Sequence, residues 1–340
     1  MIKKKSAYTV AILGATGAVG KESLEILEER KFPLEKLRLF ASKRSAGEVM
    51  TCQGKEWTVE ELTESSSFEG VDFAFISATD QISKDYGPKL GAAGIVVIDD
   101  SAVFRMDPQV PLVVPEVNAA ALRSLPKGIV SIPNCTTTPL VMALKPLQDA
   151  VGVKRVVVTT FQSVSGTGAA AMDELMNQTR DLMAFRDVKA EVYPYQISFN
   201  LLPHIGSFND GGECSEEVKI VRETQKILDA PTLRVTSTTV RVPVLRCHSE
   251  SINVELAKPL SPNDARAALA AMPGVIVYDD PKKKLYPMPL DATGKDEVYV
   301  GRIREDVSVT NGLNLWVVSD NLRKGAALNA VQIAECLVKN

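Results

Sequence analysis

Histidine is scarce in this chain, with only His204 and His248 among 340 residues. Cysteine is sparse and dispersed: Cys52, Cys135, Cys214, Cys247 and Cys336 form no C-x-x-C pair and are odd in number. Such a set makes neither a disulfide framework nor a zinc site, so no metal is expected and a reducing compartment suits it. No apolar run reaches the length of a transmembrane helix. A surplus of either charge is missing too, since the formal net charge is −3. That excludes a global basic field for nucleic acid, and Lys282-Lys283-Lys284 reads as a solvated loop. Internal repeats and low-complexity segments are absent. What is present is an ordinary globular composition, 45% apolar and 24% charged, over a length that one hydrophobic core seldom organises. Two domains acting on a small molecule are the expectation.

The N-terminus opens with Lys3-Lys4-Lys5 and an apolar stretch from Tyr8 to Leu13, the outline of an export signal. It then runs into Gly14-Ala15-Thr16-Gly17-Ala18-Val19-Gly20 and a charged amphipathic segment, Lys21 to Arg30, where an export signal needs a plain apolar core and a cleavage site. A cytoplasmic chain is expected. The segment reads instead as strand, glycine turn and helix: Thr9 to Leu13 is β-prone, and Leu24, Ile26 and Leu27 fall at helical spacing. Glycines at such a junction let the backbone turn tightly, approach a pyrophosphate and pack helix on strand. Gly14, Gly17 and Gly20 follow G-x-x-G-x-x-G rather than G-x-G-x-x-G, a variant of the Rossmann fingerprint. Strand-like segments at Lys36 to Phe40, Val71 to Ser77, Ile95 to Asp99 and Ile129 to Ile132 extend the pattern into a dinucleotide-binding domain. At the end of the second strand an NAD site places a carboxylate on the ribose. Here stands Ala41-Ser42-Lys43-Arg44-Ser45-Ala46-Gly47, with no carboxylate between Glu35 and Glu48. A 2′-phosphate suits that loop, although Lys43 and Arg44 serve equally well as a wet surface turn. NADP is the expected cofactor.

Residues Ser131 to Leu140 set Cys135 between an apolar strand-like run and a helix start, with Thr138 as N-cap and Pro139 at the first helical position. A thiol there feels the positive end of the helix dipole, which favours thiolate, although a free cysteine is often only a small buried residue. From about Lys154 β-prone runs dominate: Arg155 to Thr160, Leu233 to Val244, Ser251 to Leu256, Val275 to Tyr278, Val298 to Ile303 and Leu313 to Val318. With helices expected over Ala169 to Phe185 and Ser215 to Leu228, this half reads as α+β, an antiparallel or mixed sheet with helices on one face. A closing helical pattern, Asn321 to Leu337, is placed to pack back on the first domain. Only histidine titrates near neutrality unassisted, and a thiol with an imidazole is a frequent catalytic pair. More than a hundred residues separate Cys135 from His248, so the sequence leaves open whether they meet. Arg241 and His248 are an odd number of residues apart, so Pro243 has to interrupt the strand if both are to line one site.

Taken together, Gly14 to Gly20, Pro133-Asn134-Cys135, Phe161 to Gly168, Ser215 to Lys219, Arg241 with Arg246 to Ser249, and Asp320 to Ala327 resemble the aspartate-β-semialdehyde dehydrogenase family, in the family's order and nearly end to end. The resemblance implies an α/β fold: a Rossmann-type NADP-binding domain, 1–133 and 322–340, plus an α+β catalytic and dimerisation domain, 134–321. It implies NADPH-dependent reduction of L-aspartyl-4-phosphate to the semialdehyde, on the route to lysine, threonine and methionine, by a homodimer. Carried over by position, Cys135 is the nucleophile, His248 the acid/base and Gln162 the residue that orients the acyl group. Arg241 is assigned to the substrate carboxylate, Glu216 to its ammonium, and Arg105 with Lys219 to phosphate, with Asn134 a candidate for the oxyanion. Gly14, Thr16, Gly17, Ala18, Val19, Arg44, Ser45, Ser165, Gly166 and Asn321 are the cofactor positions. Two other readings remain: an N-acetyl-γ-glutamyl-phosphate reductase, whose acetylated substrate needs no ammonium partner such as Glu216, and a catalytically silent NADP-binding relative.

Overall fold

The run Tyr8–Leu13 (β1) has no polar face, and in the computed structural model, which describes residues 4–339, it lies inside a parallel sheet with every residue buried. Lys3 of the basic N-terminal cluster lies outside the described residues. The chain forms two units, one from the N-terminus to Asn134 plus the residues from Ala326 on, the other from Cys135 to Gly325.

In the first unit the chain continues through α1 (Ala18–Glu29), β2 (Leu34–Ala41), β3 (Val49–Cys52), β4 (Lys55–Glu61), β5 (Phe73–Ile76), α2 (Asp80–Ala92), β6 (Val96–Asp99), α3 (Pro115–Asn118) and β7 (Ile129–Ser131). The sheet order is β3-β4-β2-β1-β5-β6-β7, with β3 antiparallel to β4 and every other pairing parallel. Without β3 this is the 3-2-1-4-5-6 arrangement of doubly wound dinucleotide folds, in which strand order reverses between β1 and its neighbour β5. Tyr8, Phe32 and Phe73 pack ring on ring beneath it, centroids 5.6 to 6.3 Å apart.

The second unit holds α4 (Thr137–Val151), β8 (Val153–Gln162), α5 (Ala169–Met183), α6 (Ser215–Ile227), β9 (Arg234–Arg241), β10 (His248–Leu256), α7 (Pro262–Ala270), β11 (Val275–Val277), α8 (Pro289–Ala292), β12 (Val298–Asp306) and β13 (Gly312–Ser319). Its sheet, β11-β12-β13-β10-β8-β9, is mixed: β11 with β12 and β8 with β9 run parallel, and the others antiparallel. Helix α4 crosses β8, β10, β12 and β13 on one face, with α6 and α7 against it. On β8 buried residues alternate with half-exposed ones, as one covered face requires. The closing helix α9 (Leu328–Lys339) belongs to the first unit, where Leu328, Val331, Ile333 and Ala334 join the core and Glu335 forms a two-pronged bond with Arg30 at 2.8 Å.

Two local expectations are corrected. Helix α4 begins at Thr137, so Thr138 and Pro139 occupy its second and third positions instead of the N-cap and the first. Proline has no N–H to lose anywhere in a first turn, so Pro139 fits there equally well. The run expected over Leu233 to Val244 stops pairing at Arg241, because Pro243 has no N–H to extend the ladder. Among the described residues no helix is long and apolar enough to cross a membrane.

Candidate active site

Strands β8 and β9 run parallel and end side by side at Gln162 and Arg241, which are register partners. Strand β10 runs the other way and starts at His248, beside Gln162 because Ser249 pairs with Phe161. Strand β13 closes the same edge, with Ser319 opposite His248 and Asn321 just beyond. Four strand ends therefore deliver four side chains to one rim of the sheet, and the break at Pro243 lets Arg241 and His248 approach it from either side of Gln162.

Cys135 stands just before α4, half-buried, with its Sγ 3.3 Å from Nε2 of His248. Nδ1 of the same ring receives the backbone N–H of Ser163 at 3.0 Å and lies 3.1 Å from the Ser163 hydroxyl. Burial, followed by the positive charge of Arg241, pulls His248 down to about 3, with Glu216 opposing them. The imidazole is therefore neutral at physiological pH. Gln162 is fixed at both ends: the Thr160 hydroxyl donates to its Oε1 at 3.1 Å and its Nε2 donates to Glu216 at 3.1 Å. Glu216, in the first turn of α6, also meets Lys219 at 3.3 Å and is only 6% exposed, so the pair is no ordinary surface ion pair. Arg241 donates to the Ser163 carbonyl at 2.5 Å and lies over the Tyr193 ring.

Ser165, Gly166 and Asn321, expected as cofactor positions, stand beside His248, whereas Ser163, Cys247 and Gly325 were given no role from the sequence. Asn321 Oδ1 accepts from the hydroxyls of Ser163 and Ser165, each at 3.1 Å, and from the Cys247 N–H at 3.0 Å. Cys247 is itself left-handed, φ 74°, a conformation a non-glycine residue adopts rarely, and burial raises its thiol to about 12. Gly166 packs so close that a Cβ there would sit 3.3 Å from the His248 ring. Gly325, in a π-turn over Arg323–Ala327, has no room for a side chain: a Cβ would lie 2.9 Å from that of Cys135. No sequence pattern marks such a contact, but π-turns recur at functional sites.

In the first unit the glycine turn follows β1. Gly14, φ 94°, would drive a Cβ to 2.2 Å from the Ser77 carbonyl at the end of β5, and Gly20 to 2.3 Å from the Gly14 carbonyl. These two positions admit only glycine, and the turn stands where strand order reverses. Gly17 caps α1, with Thr16, Ala18 and Val19 half-buried around the helix start. Beyond β2, Arg44 is exposed and Ser45 buried. A backbone-lined helix N-terminus with a cation on the neighbouring strand loop fits a phosphorylated dinucleotide. Arg105 is buried and donates to the Asp100 carbonyl at 2.7 Å, and Asn134 is buried at the end of the unit.

The semialdehyde dehydrogenase NAD-binding domain matches residues 9–125, and the semialdehyde dehydrogenase dimerisation domain matches residues 144–324. The aspartate-semialdehyde dehydrogenase of Aquifex aeolicus is 52% identical over 334 residues, 98% of either chain. The chain belongs to the aspartate-semialdehyde dehydrogenase family. It is thus an oxidoreductase of two domains with a nicotinamide cofactor. Among solved structures it is similar to aspartate semialdehyde dehydrogenase II of Vibrio cholerae complexed with ASA, with a TM-score of 0.96 and 44% identity over 99% of each chain. A Candida albicans aspartate semialdehyde dehydrogenase with NADP has a TM-score of 0.77 at 27% identity, over 98% of each chain.

Proposed function

We propose that the chain reduces L-aspartyl-4-phosphate to L-aspartate 4-semialdehyde with NADPH, through a thioester on Cys135, in the biosynthesis of lysine, threonine and methionine. The observation that carries this reading is the Cys135 to His248 contact of 3.3 Å at a rim shared with Gln162, Glu216 and Arg241. A thiolate attacks an acyl carbon well and later leaves well. As the C–S bond forms, the bond from the acyl carbon to the phosphate oxygen breaks, and phosphate departs with the electron pair. Bound at the glycine turn, NADPH supplies the hydride that a thioester accepts more readily than a carboxylate.

Gln162, clamped by Thr160 and Glu216, orients the acyl group. Arg241 takes the substrate's α-carboxylate and Glu216 its ammonium, an allocation supported by charge. Lys219 and Arg105 take phosphate, Asn134 the oxyanion, and His248 assists the sulfur as acid/base. Exposed Arg44 with Ser45 favours NADP over NAD, and Gly14, Thr16, Gly17, Ala18, Val19, Ser165, Gly166 and Asn321 complete the cofactor contacts. The first unit serves the dinucleotide, the second catalysis and pairing. A second copy of the chain covers the half-exposed face of the second sheet, where Phe161 and Trp316 pack 5.5 Å apart, and the exposed Met183 at the end of α5 with Phe185 just beyond. Five free thiols suit the cytoplasm.

The test follows NADPH absorbance with aspartate semialdehyde, phosphate and NADP, and in parallel with the N-acetylated, one-carbon-longer semialdehyde. Turnover of the first alone is expected. Preference for the second would favour the reductase alternative, and no turnover of either a silent relative.

A further inference from the structure

Between α5 and α6 the chain from Lys189 to Leu202 forms neither a helix nor a ladder of its own, and Glu191, Val192, Pro194 and Tyr195 on it stand exposed. A strap of that kind keeps its shape only if something takes up its backbone groups. Two side chains one turn apart on α5 do so, and both are buried. The Glu174 carboxylate accepts from three consecutive N–H groups, those of Glu191, Val192 and Tyr193. Gln178 accepts from the N–H groups of Ile197 and Ser198, at 2.9 and 3.1 Å, and donates to the Lys189 carbonyl at 2.8 Å and to Glu174 at 3.3 Å. At the far end Leu202 exchanges both backbone bonds with Arg241, at 2.8 and 3.0 Å. The strap is thus fastened to α5 on one side and to Arg241 on the other.

The side chain it delivers is Tyr193. The ring lies over the Arg241 guanidinium, with Cζ 5.8 Å from the ring centroid, and the hydroxyl donates to that of Thr167 at 3.0 Å. Burial, with Glu174 in the same direction and Arg241 and Thr167 opposing, raises the phenol above its ordinary 10, so it stays a neutral donor. Arg241 is buried; its Nη1 donates to the Ser163 carbonyl at 2.5 Å, and among the described residues its Nε has no hydrogen-bond partner. A buried charge with so few bonds needs another source of stabilisation, and the negative face of an aromatic ring supplies one. The ring also covers a face of the guanidinium, which leaves the fork to meet a carboxylate in its own plane, where it can engage both oxygens.

We propose that Tyr193, carried by the strap from Lys189 to Leu202, is the positioning residue that holds the Arg241 guanidinium for the α-carboxylate of the substrate. The inference rests on Arg241 as the group that takes that carboxylate. Tyr193 itself need not touch the substrate, so its contribution falls on binding and leaves the steps at Cys135 and His248 as they are.

The test compares steady-state constants of the full-length enzyme with Tyr193→Phe, Tyr193→Leu and Arg241→Lys. Tyr193→Leu, which loses the π face, should raise KM for aspartate semialdehyde roughly two- to thirtyfold, with kcat and KM for NADP near the parent's. Tyr193→Phe, which keeps the face and loses the hydroxyl, should restore KM. Arg241→Lys should raise KM further. If Arg241→Lys raises KM and Tyr193→Leu does not, this inference falls and the reading of Arg241 stands; if neither does, both fall. Equal losses in kcat, KM and NADP binding in Tyr193→Leu, or a Phe variant no better than the Leu one, would make the ring mere packing and overturn the role. Should Tyr193→Leu fail to fold, Glu174→Gln decides: it sets an amide NH2 against the strap's N–H groups without altering the ring, so a raised KM at unchanged kcat supports the inference and an unchanged KM overturns it.

Discussion

The two units are built around different materials. In the first the instrument is backbone: Gly14 and Gly20 leave space that no Cβ can share, and the helix N-terminus does the rest. In the second it is side chains, brought to one rim from β8, β9, β10 and the residues after β13, positions 162, 241, 248 and 321. A turn is encoded within seven consecutive residues and tolerates little change. A rim is encoded by register between strands distant in sequence, so its precision depends on second partners such as Ser163 and Asn321.

Gly14→Ala and Gly325→Ala bring that contrast to a test of one methyl group in each unit. Gly325→Ala should displace the sulfur and lower kcat about 10²-fold, while equilibrium dialysis finds NADPH affinity retained. Gly14→Ala should do the reverse in kind, weakening NADPH and lowering Tm, because its Cβ meets the Ser77 carbonyl at 2.2 Å in a left-handed backbone. If both variants lose cofactor affinity equally, the division between backbone cradle and side-chain rim is wrong.

Arg44→Ala sharpens the first half. A hydrogen bond to a charged group contributes about 1.5 to 3 kcal/mol, so NADPH should bind roughly ten- to a hundredfold more weakly and NADH almost as before. Equal losses for both would take Arg44 off the 2′-phosphate.

The smallest effect concerns the second unit's buried ionisable groups. His248 has its pKa held at about 3 in the fold, below the ordinary 6.5, so under pH 6.5 the unfolded chain takes up a proton that the folded one refuses. Stability should fall as pH drops from about 6.5 toward 3. Glu250, one rung along β10 on the same face as His248, has neither carboxylate oxygen hydrogen-bonded, and burial pushes its carboxyl well above the ordinary 4.5. It works in the opposite sense, with stability falling as pH rises above 4.5. Glu250→Gln should therefore raise Tm at pH 8 and leave it near the parent's at pH 4; a lower Tm at pH 8 would mean that the carboxylate has an ionic partner.

What the sequence made legible follows the same division. The strand, turn and helix from Tyr8 to Glu29 could be read because their signals are local: an apolar run, glycines at fixed offsets, helical spacing. The β3–β4 hairpin escaped notice because Lys55, Glu56, Glu60 and Glu61 mask the alternation of an edge strand with one wet face. Helix α2 was not among the expected elements, since Gly87, Pro88 and Gly91 are poor helix formers; Phe104 and the Lys127 carbonyl press on the two glycines and leave no space for larger residues. Cys135, Gln162, Arg241 and His248 could be nominated, but their meeting could not, since that is a matter of strand order. Gly325 and Ser163 lie inside stretches that carry the family resemblance, but no local pattern marked the contacts they make with Cys135 and His248.

The central claim is an acyl group on one sulfur. Enzyme given aspartate semialdehyde and NADP without phosphate, then quenched and peptide-mapped by mass spectrometry, should carry one aspartyl thioester per chain on the Cys135 peptide. It should show a matching burst of NADPH, discharge when phosphate is added, and give neither adduct nor burst as Cys135→Ser. NADPH formed with no acyl group on Cys135, or with the Ser variant turning over normally, would contradict the account.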